Sequence, residues 1–297
     1  MKKTLIALAA LASTAAFAQS VTLSGKMGAG VTVNNYTGGT SAKTLNSTDG
    51  AVTFAVTEDL GGGMKVAASQ TLAFGGAQGG SATNDGGSLA ISGGFGEAKF
   101  GMSCAGGALG EAVVGGQYTF AHAVHSTGAT DCREYKYGLY TLPTMVQGLT
   151  VAVRVQNMSG GTNLSLDDFS AAANGLQYRF NYANGPLAAA FYTRSNSSEL
   201  HASYDLGVAK VSYGVDTKVA SGDKRSELGV SVPLGALTLK AGYGKKGAIK
   251  GTEVGAFYAL SKRTTLGATM GNFTPNTAQA NTVAQDKPAR VSLVHTF

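Results

Sequence analysis

The sequence predicts an all-β fold, a 16-stranded antiparallel transmembrane β-barrel, from three observations. Apolar and polar residues alternate with period two from Val21 to the last residue, as in strands that have one apolar and one polar face. Short links rich in Gly, Asn and Asp alternate with longer polar segments, as expected for hairpins joined by loops. The 297 residues include 43 Gly and only 13% charged residues, about twice the Gly and half the charge of an average globular domain.

The composition argues against other classes of protein. A helical soluble enzyme is disfavoured by the low charge, and disorder by a mean hydropathy of +0.05 together with 12 Tyr and 12 Phe. A helical membrane protein is excluded because no run of 18 apolar residues occurs. A soluble β-sandwich usually has fewer strands, and a Gly-rich solenoid would show a short fixed repeat, which this sequence lacks.

Residues 1–18 are predicted to be a secretory signal peptide and residues 19–297 the mature barrel domain. Two lysines precede the apolar run 5–12, and an Ala-Phe-Ala motif ends at Ala18, which together match the three parts of such a peptide. An N-terminal membrane anchor is the alternative, although the apolar run is too short to span a bilayer.

The mature chain has room for sixteen strands. Its length of 297 − 18 = 279 residues allows about 17 residues for each strand and its connection, when a membrane-spanning strand needs about 9 to 11. In chain order the predicted strands lie near residues 21–33, 51–57, 63–73, 87–92, 96–103, 133–141, 148–157, 174–183, 186–193, 199–205, 207–216, 225–232, 235–243, 252–259, 264–271 and 289–297.

The charged strand residues fall on the polar parity, which would face a water-filled interior. An Arg or Lys facing lipid at mid-depth would cost about 2 to 4 kcal/mol. The basic residues of this face are Lys26, Lys65, Lys99, Arg154, Arg179, Lys210, Arg225, Lys240 and Arg290, and the acidic ones are Glu97, Glu199, Asp216, Glu227 and Glu253. The basic excess predicts a lumen that favours anions. The alternative is mutually compensating pairs with little effect on selectivity, because water screens charges in a wide pore.

Cys104 and Cys132 are predicted to form a disulfide, because export would place this even pair in an oxidising compartment. Closing the loop between them would stabilise the fold by about 3 to 4 kcal/mol in the chain-entropy model. Two free thiols are the alternative. No metal or other cofactor is predicted, since His122 and His125 in the same segment have no recognised ligand spacing with the cysteines.

Neither catalysis nor nucleic-acid binding is predicted. The sequence has no G-x-S-x-G elbow and no phosphate-binding loop. The pI of about 9.2 comes from basic residues dispersed along alternating strands rather than clustered in one patch. A surface adhesin is an alternative outside the channel class, because segments 34–50, 158–173 and 272–288 are rich in small polar residues suited to exposed loops.

Five segments form an ordered set along the mature chain. They are TEDLGGGMK at 57–65, GFG at 94–96 followed by KFG at 99–101, Arg133 ten residues before Pro143 with Tyr140 between them, YALSKRT at 258–264, and VHTF at 294–297. In order and spacing these segments resemble the general porins of Gram-negative outer membranes, in particular the betaproteobacterial type.

The resemblance implies a passive channel that is exported through the periplasm into the outer membrane. It implies a homotrimer of barrels surrounded by outer-membrane lipids, each with a water-filled pore for small hydrophilic solutes and ions. An inward-folded third loop, here between Cys104 and Cys132, would narrow the pore. Phe297 matches the family's cue for the outer-membrane assembly machinery, although chemically it is only an apolar strand end. A solute-selective channel is the alternative within the barrel class.

The resemblance also locates the constriction. Relatives carry Arg residues in strands two and five, where this chain has Ala51, Ala55 and Met102, and the third loop lacks the Pro-Glu-Phe-Gly-Gly motif of some porins. The expected preference for anions is therefore weak to moderate. The candidate pore-lining and constriction residues are Glu111, Asp131, Arg133, Arg154, Arg179, Lys210, Arg225, Lys240 and Arg290. The alternative for Arg133 is a rim position beside Glu134.

Overall fold

The computed structural model describes residues 19–34, 42–74, 82–103, 135–156, 175–194, 197–217, 224–247, 249–273 and 287–297. Sixteen strands account for most of these residues. They are β1 (Gln19–Asn34), β2 (Ala42–Gly61), β3 (Met64–Phe74), β4 (Ala82–Gly93), β5 (Gly96–Ser103), β6 (Tyr135–Thr141), β7 (Leu149–Gln156), β8 (Leu176–Asn184), β9 (Leu187–Arg194), β10 (Ser197–Asp205), β11 (Lys210–Asp216), β12 (Arg225–Leu234), β13 (Leu237–Lys246), β14 (Ile249–Ala259), β15 (Thr264–Phe273) and β16 (Ala289–Thr296).

The strands form one closed antiparallel barrel, which confirms the predicted fold class. Each strand pairs with its neighbours in the sequence, and β1 pairs with β16 to close the sheet. Consecutive pairing follows from the short hairpin turns, because two antiparallel strands joined by a few residues have no other low-cost partner. Closure removes the exposed sheet edges that could not be satisfied in a bilayer.

The main difference from the predicted strands is the start of β2. Segment 34–50 is predicted as a loop, but the structure has a strand from Ala42 onward. Residues 42–47 pair with the C-terminal part of β1, from Asn34 to Ala29. A register shift follows between Gly28 and Ala29. Such a bulge resets which face each side chain occupies. The alternation is therefore interrupted in the sequence, although the backbone ladder continues.

The two faces of the barrel differ as the alternation predicts. Large apolar side chains are exposed on the outside, for example Leu23 at 56% and Phe100 at 64%, whereas Glu227 and Glu253 on the inside are each 2% exposed. An apolar exterior around a charged interior is the distribution expected where lipid surrounds the barrel. The described part of the chain has no helix with the length and apolar character needed to cross a membrane.

Tight turns gather at one end of the barrel. Two of these turns are each stabilised by a hydrogen bond of the same type. The backbone N–H of Gly61 donates to Asp59 Oδ1 at 2.8 Å, and the backbone N–H of Gly207 donates to Asp205 Oδ1 at 2.8 Å. Asp side chains commonly bond to the backbone two residues on in this way. Both turns were predicted from their Asp-Leu-Gly sequences, and both have a positive φ at the glycine.

Candidate pore

The most concentrated group of charges on the inner face consists of three arginines on adjacent strands. Arg154 of β7 lies opposite Gln177 of β8, and Gln177 lies opposite Arg194 of β9. Arg179 lies in the neighbouring row of β8. The positive charges of Arg179 and Arg194 both act on the guanidinium of Arg154. The strand register therefore brings Arg154 and Arg179, both predicted as pore residues, into one basic cluster, which we call the arginine cluster: Arg154, Arg179 and Arg194.

Arg194 was not among the predicted site residues. The predicted strand ended at residue 193, which left Arg194 in a loop with no assigned face. In the structure β9 extends one residue further, and Arg194 shares the inner parity of Tyr192. The alternation Tyr192, Thr193, Arg194 was the available signal.

Two tyrosine rings position the arginine cluster. The guanidinium carbon of Arg154 lies 4.3 Å from the ring centroid of Tyr137, and that of Arg179 lies 4.0 Å from the centroid of Tyr192. The hydroxyl of Tyr192 donates to Asn181 Oδ1 at 3.0 Å. A cation over an aromatic face is stabilised by about 0.5 to 2 kcal/mol, more when water is excluded. Both arginines therefore lie against the face of an aromatic ring.

The Tyr137 ring itself rests on a glycine. A Cβ built at Gly101 of β5 would lie 2.7 Å from both Cζ and the hydroxyl oxygen of Tyr137. The wall therefore carries a stack in the order Gly101, Tyr137, Arg154. A second stack has the same order: a Cβ at Gly255 would lie 2.8 Å from the ring of Phe257, and Lys240 Nζ lies 5.2 Å from the centroid of that ring.

Four buried acidic side chains of the inner face lie in a different sector of the wall, from β10 to β14. Each of the four is at most 5% exposed: Glu199, Asp216, Glu227 and Glu253. Glu227 lies between Gly214 and Gly244 on the two neighbouring strands, and Glu253 likewise faces a glycine on each side. Arg225 lies opposite Asp216 within this sector. The inner charges are therefore partly segregated around the barrel, with the arginine cluster at one side.

The remaining predicted basic residues are spread over the wall. Lys210 is exposed near the end with short turns and lies opposite Asp205, while Arg290 lies opposite Thr32 and Thr269. Two further lysines of the inner face form ion pairs, Lys26 with Asp49 at 2.7 Å and Lys99 with Glu97 at 2.9 Å. The charges of these two lysines are therefore compensated by neighbouring acids, as in the alternative to a positive lumen.

The other predicted site residues lie outside the described residues. These are Cys104, Glu111, Asp131, Cys132 and Arg133. The third-loop constriction and the disulfide accordingly stay predictions. Within the described ranges, no three His, Cys, Asp or Glu side chains are close enough together to hold a metal ion.

Phe297 closes the barrel at the seam between its two ends. The backbone N–H of Gly25 donates to the carbonyl oxygen of Phe297 at 2.9 Å, and the N–H of Phe297 donates to that of Gly25 at 3.0 Å. The ring lies over the same glycine, because a Cβ at Gly25 would be 2.6 Å from Cζ of Phe297. The last residue therefore has a structural role at the seam, separate from its predicted role as an assembly cue.

Comparison with solved structures supports the fold. The anion-selective porin from Comamonas acidovorans superposes with a TM-score of 0.65 and 22% identity, covering 94% of this chain and 100% of that chain. A triple mutant of Rhodopseudomonas blastica porin gives a TM-score of 0.67 with 12% identity and the same coverage. No curated protein sequence matches this chain significantly.

The sequence itself identifies the protein family to which the chain belongs. A family model described as Gram-negative porin matches residues 4–278, which include fifteen of the sixteen strands and the whole arginine cluster. The closed barrel, the apolar exterior and the charged interior agree with that match. The chain therefore belongs to the Gram-negative porin family.

Proposed function

We propose that this outer-membrane porin lets small hydrophilic solutes and ions diffuse passively through the barrel, with a weak to moderate preference for anions and without a chemical step. The observation that carries the proposal is the arginine cluster. Lys26 and Lys99 are neutralised by acids within 3 Å, whereas Arg154 contacts an aromatic ring instead. The Comamonas relative is described as anion-selective, which agrees with this sign.

The arginine cluster favours anions because the barrel wall has a low dielectric constant and screens the electric field of the guanidinium groups only weakly. Three guanidinium groups on adjacent strands add their potentials, and Arg154 is only 4% exposed, so water screens it less than it screens a surface charge. Selection in a wide pore of this kind comes from the pore radius and the field rather than from a binding pocket for one solute.

Conductance in a planar lipid bilayer tests the proposal. With KCl at tenfold different concentrations on the two sides, we expect stepwise channels whose reversal potential has the sign of chloride preference, because the net inner charge is positive. A reversal potential of the opposite sign would contradict the positive lumen. A silent bilayer would contradict the pore itself and favour the adhesin alternative.

The homotrimer belongs to the same proposal, and the outer face of β3 to β6 supports it. A depression of about 480 Å³ lies in this part of the wall and is lined by residues of both parities, of which Gln70, Gly87, Phe100, Met102 and Lys136 have the outward parity. Lipid-facing positions of a membrane barrel are mostly apolar, so the polar side chains of Gln70 and Lys136 on this face suit contact with another protomer. Removal of residues 1–18, the disulfide between Cys104 and Cys132, and assembly cued by Phe297 complete the proposal.

A bulky substitution on this face tests the trimer. Ala68 has the outward parity of β3, opposite the exposed Leu89, so Ala68→Phe leaves the barrel wall intact but separates two protomers. We expect the trimer band of unheated protein in SDS gels to be replaced by folded monomer. The matched control is Ala241→Phe, which faces outward on β13 opposite Val254. Equal behaviour of the two variants would place the interface elsewhere.

A further inference from the structure

We propose that the outer face of β12 to β14 binds one phosphate-bearing lipid per protomer, with the headgroup against three lysines and an acyl chain in an apolar depression next to them. The lysines are Lys224, Lys245 and Lys250, which we call the lysine patch. The inference goes beyond the proposed diffusion of solutes, because the lysine patch faces away from the lumen. It rests on the outer-membrane location of the barrel and not on its ion preference.

The alternation of the strands places the lysine patch on the outer face. Lys245 has the parity of Tyr243 on β13, and Lys250 has the parity of Val254 on β14. The side chains of Tyr243 and Val254 are both exposed on the outside. The tight turns that precede β13 and follow β14 lie at the other end of these strands. Because outer-membrane barrels have short periplasmic turns and longer extracellular loops, the lysine patch lies at the extracellular end.

Two members of the lysine patch repel each other. Lys245 and Lys250 lie directly opposite in the β13–β14 ladder, and like charges at such positions destabilise a sheet. Lys224 immediately precedes β12 and shares the parity of the exposed Leu228. Its carbonyl oxygen accepts a hydrogen bond from the backbone N–H of Gly247 at 3.2 Å, which holds it beside the β13–β14 hairpin. An anionic group among the three ammonium groups removes this repulsion.

The described acids of the neighbouring strands do not neutralise the lysine patch. Asp216, Glu227 and Glu253 have the inner parity, and each is at most 4% exposed. Within the described ranges, the side chains of the lysine patch make neither a hydrogen bond nor an ion pair. Basic side chains at a membrane surface attract anionic lipids. A phosphate group of the surrounding bilayer therefore supplies the counter-charge.

An apolar depression of about 680 Å³ forms the second part of the site. Most of its lining residues have the outward parity, and those nearest the lysine patch along the strands are Val230, Ala241 and Val254. Ala241 and Lys245 are separated by Tyr243 and by about 13 Å of strand, at about 3.3 Å per residue. Along β13 the order is an ammonium group, a phenol ring and an apolar surface. The phosphate, interfacial region and acyl chain of a lipid follow the same order from the membrane surface inward.

The position of this face in the barrel leaves it in contact with lipid. In the order of the sixteen strands, β13 lies eight strands from β5, on the side away from the β3–β6 face that we propose for the trimer. A second protomer is therefore a poor occupant of the depression. A charged headgroup with an acyl chain matches both the lysine patch and the depression, whereas a free anion matches only the lysine patch.

Native mass spectrometry of the purified protein tests the proposal. The protein is delipidated in a nonionic detergent and incubated with phosphatidic acid or with phosphatidylcholine of the same acyl chains. We expect one phosphatidic acid per protomer to bind at a concentration about tenfold or more below that needed for phosphatidylcholine. Because the two lipids share their acyl chains, the comparison isolates the charge of the headgroup.

The double variant Lys245→Gln/Lys250→Gln removes two charges of the lysine patch. The half-saturating concentration of phosphatidic acid should rise about tenfold or more, since each lysine near a membrane surface contributes roughly a fivefold attraction. The matched control is Lys262→Gln/Arg263→Gln, which removes two exposed positive charges from the tight turn between β14 and β15. Its half-saturating concentration should stay within about twofold of the native value.

Ala256→Phe fills the depression without changing any charge. Ala256 has the outward parity of β14, opposite Leu239. The half-saturating concentration of phosphatidic acid should rise about fourfold or more, the equivalent of one methylene group that is no longer buried. Ala189→Phe is the matched control, because Ala189 faces outward on β9 opposite Ala202 and does not line the depression. It should bind phosphatidic acid like the native protein. The charge and depression variants are independent, so either one decides the matter if the other does not fold.

Three outcomes would overturn the lipid site. The first is equal affinity for the two lipids, or equal effects of the two charge-removing variants. The second is competition by inorganic phosphate at concentrations equal to those of the lipid, which would indicate a site for a bare anion. The third is loss of the trimer in Ala256→Phe but not in Ala189→Phe, which would place a second protomer over the depression. The reversal potential in KCl tests the proposed ion preference separately, so failure of either proposal is distinguishable from failure of the other.

Discussion

Deletion of Phe297 is expected to prevent formation of a stable closed barrel. The deletion removes both backbone hydrogen bonds with Gly25 and the ring that covers this glycine. Net contributions of about 0.5 to 1.5 kcal/mol per hydrogen bond and the lost apolar contact together give a loss of roughly 2 to 4 kcal/mol. The measurement is refolding in detergent followed by SDS gels, in which a folded barrel migrates differently before and after heating.

Phe297→Leu is the control for this deletion, because it keeps the backbone pairing and an apolar side chain. It should retain the heat-dependent shift in migration. Refolding in detergent also separates the two roles of the residue, since no assembly machinery is present. If the deleted protein refolds normally in detergent and fails only in cells, the seam argument is wrong and the assembly cue alone remains.

Gly96→Ala is expected to have an effect of similar size at the turn between β4 and β5. Gly96 has a φ of +103°, a conformation that costs other residues about 1 to 3 kcal/mol. A Cβ there would also press against the carbonyl oxygen of Thr141 and lie 3.1 Å from the ring of Pro143. The combined cost is about 3 kcal/mol or more, measured as a lower midpoint of urea unfolding in detergent.

The turn cannot relax easily, because Tyr140 of β6 donates a hydrogen bond from its hydroxyl to the carbonyl oxygen of Phe95 at 2.5 Å. Gly94→Ala in the same turn provides the comparison. No atom lies within 4 Å of a Cβ at Gly94, and its φ is not positive. This variant should change stability by less than about 0.5 kcal/mol. If both variants lost the same amount of stability, neither the positive φ of Gly96 nor the contact with Thr141 could be the cause of the loss in Gly96→Ala.

The sequence predicted the sixteen strands because each depends on local signals. A hairpin needs only an alternating segment, a tight turn and a second alternating segment. The Asp-Leu-Gly sequences that end at Gly61 and Gly207 supply two such turns. The first half of β2 was missed because position 48, the extra residue of β2 at the register shift beside Gly28 and Ala29, interrupts the alternation of β2. Backbone pairing, which does not depend on side-chain type, maintains the strand there.

The candidate site was predicted less completely than the fold. Parity placed Arg154 and Arg179 on the inner face, but their proximity to Arg194 depends on the register between β7, β8 and β9, which alternation alone does not determine. The stack of Tyr137 on Gly101 joins positions far apart in the sequence. Nothing in either local segment indicates that a tyrosine will cover that glycine.

The glycines beneath inner aromatic rings also affect the width of the water path. Over Gly101 and Gly255 the rings of Tyr137 and Phe257 lie along the wall, so each occupies about 3.5 Å of the radius, the thickness of a ring in van der Waals contact. A ring raised by a Cβ would project its length into the opening instead. Ohmic conductance is therefore adjustable at Gly101 and Gly255 by changes that alter no charge, independently of the residues that set ion preference.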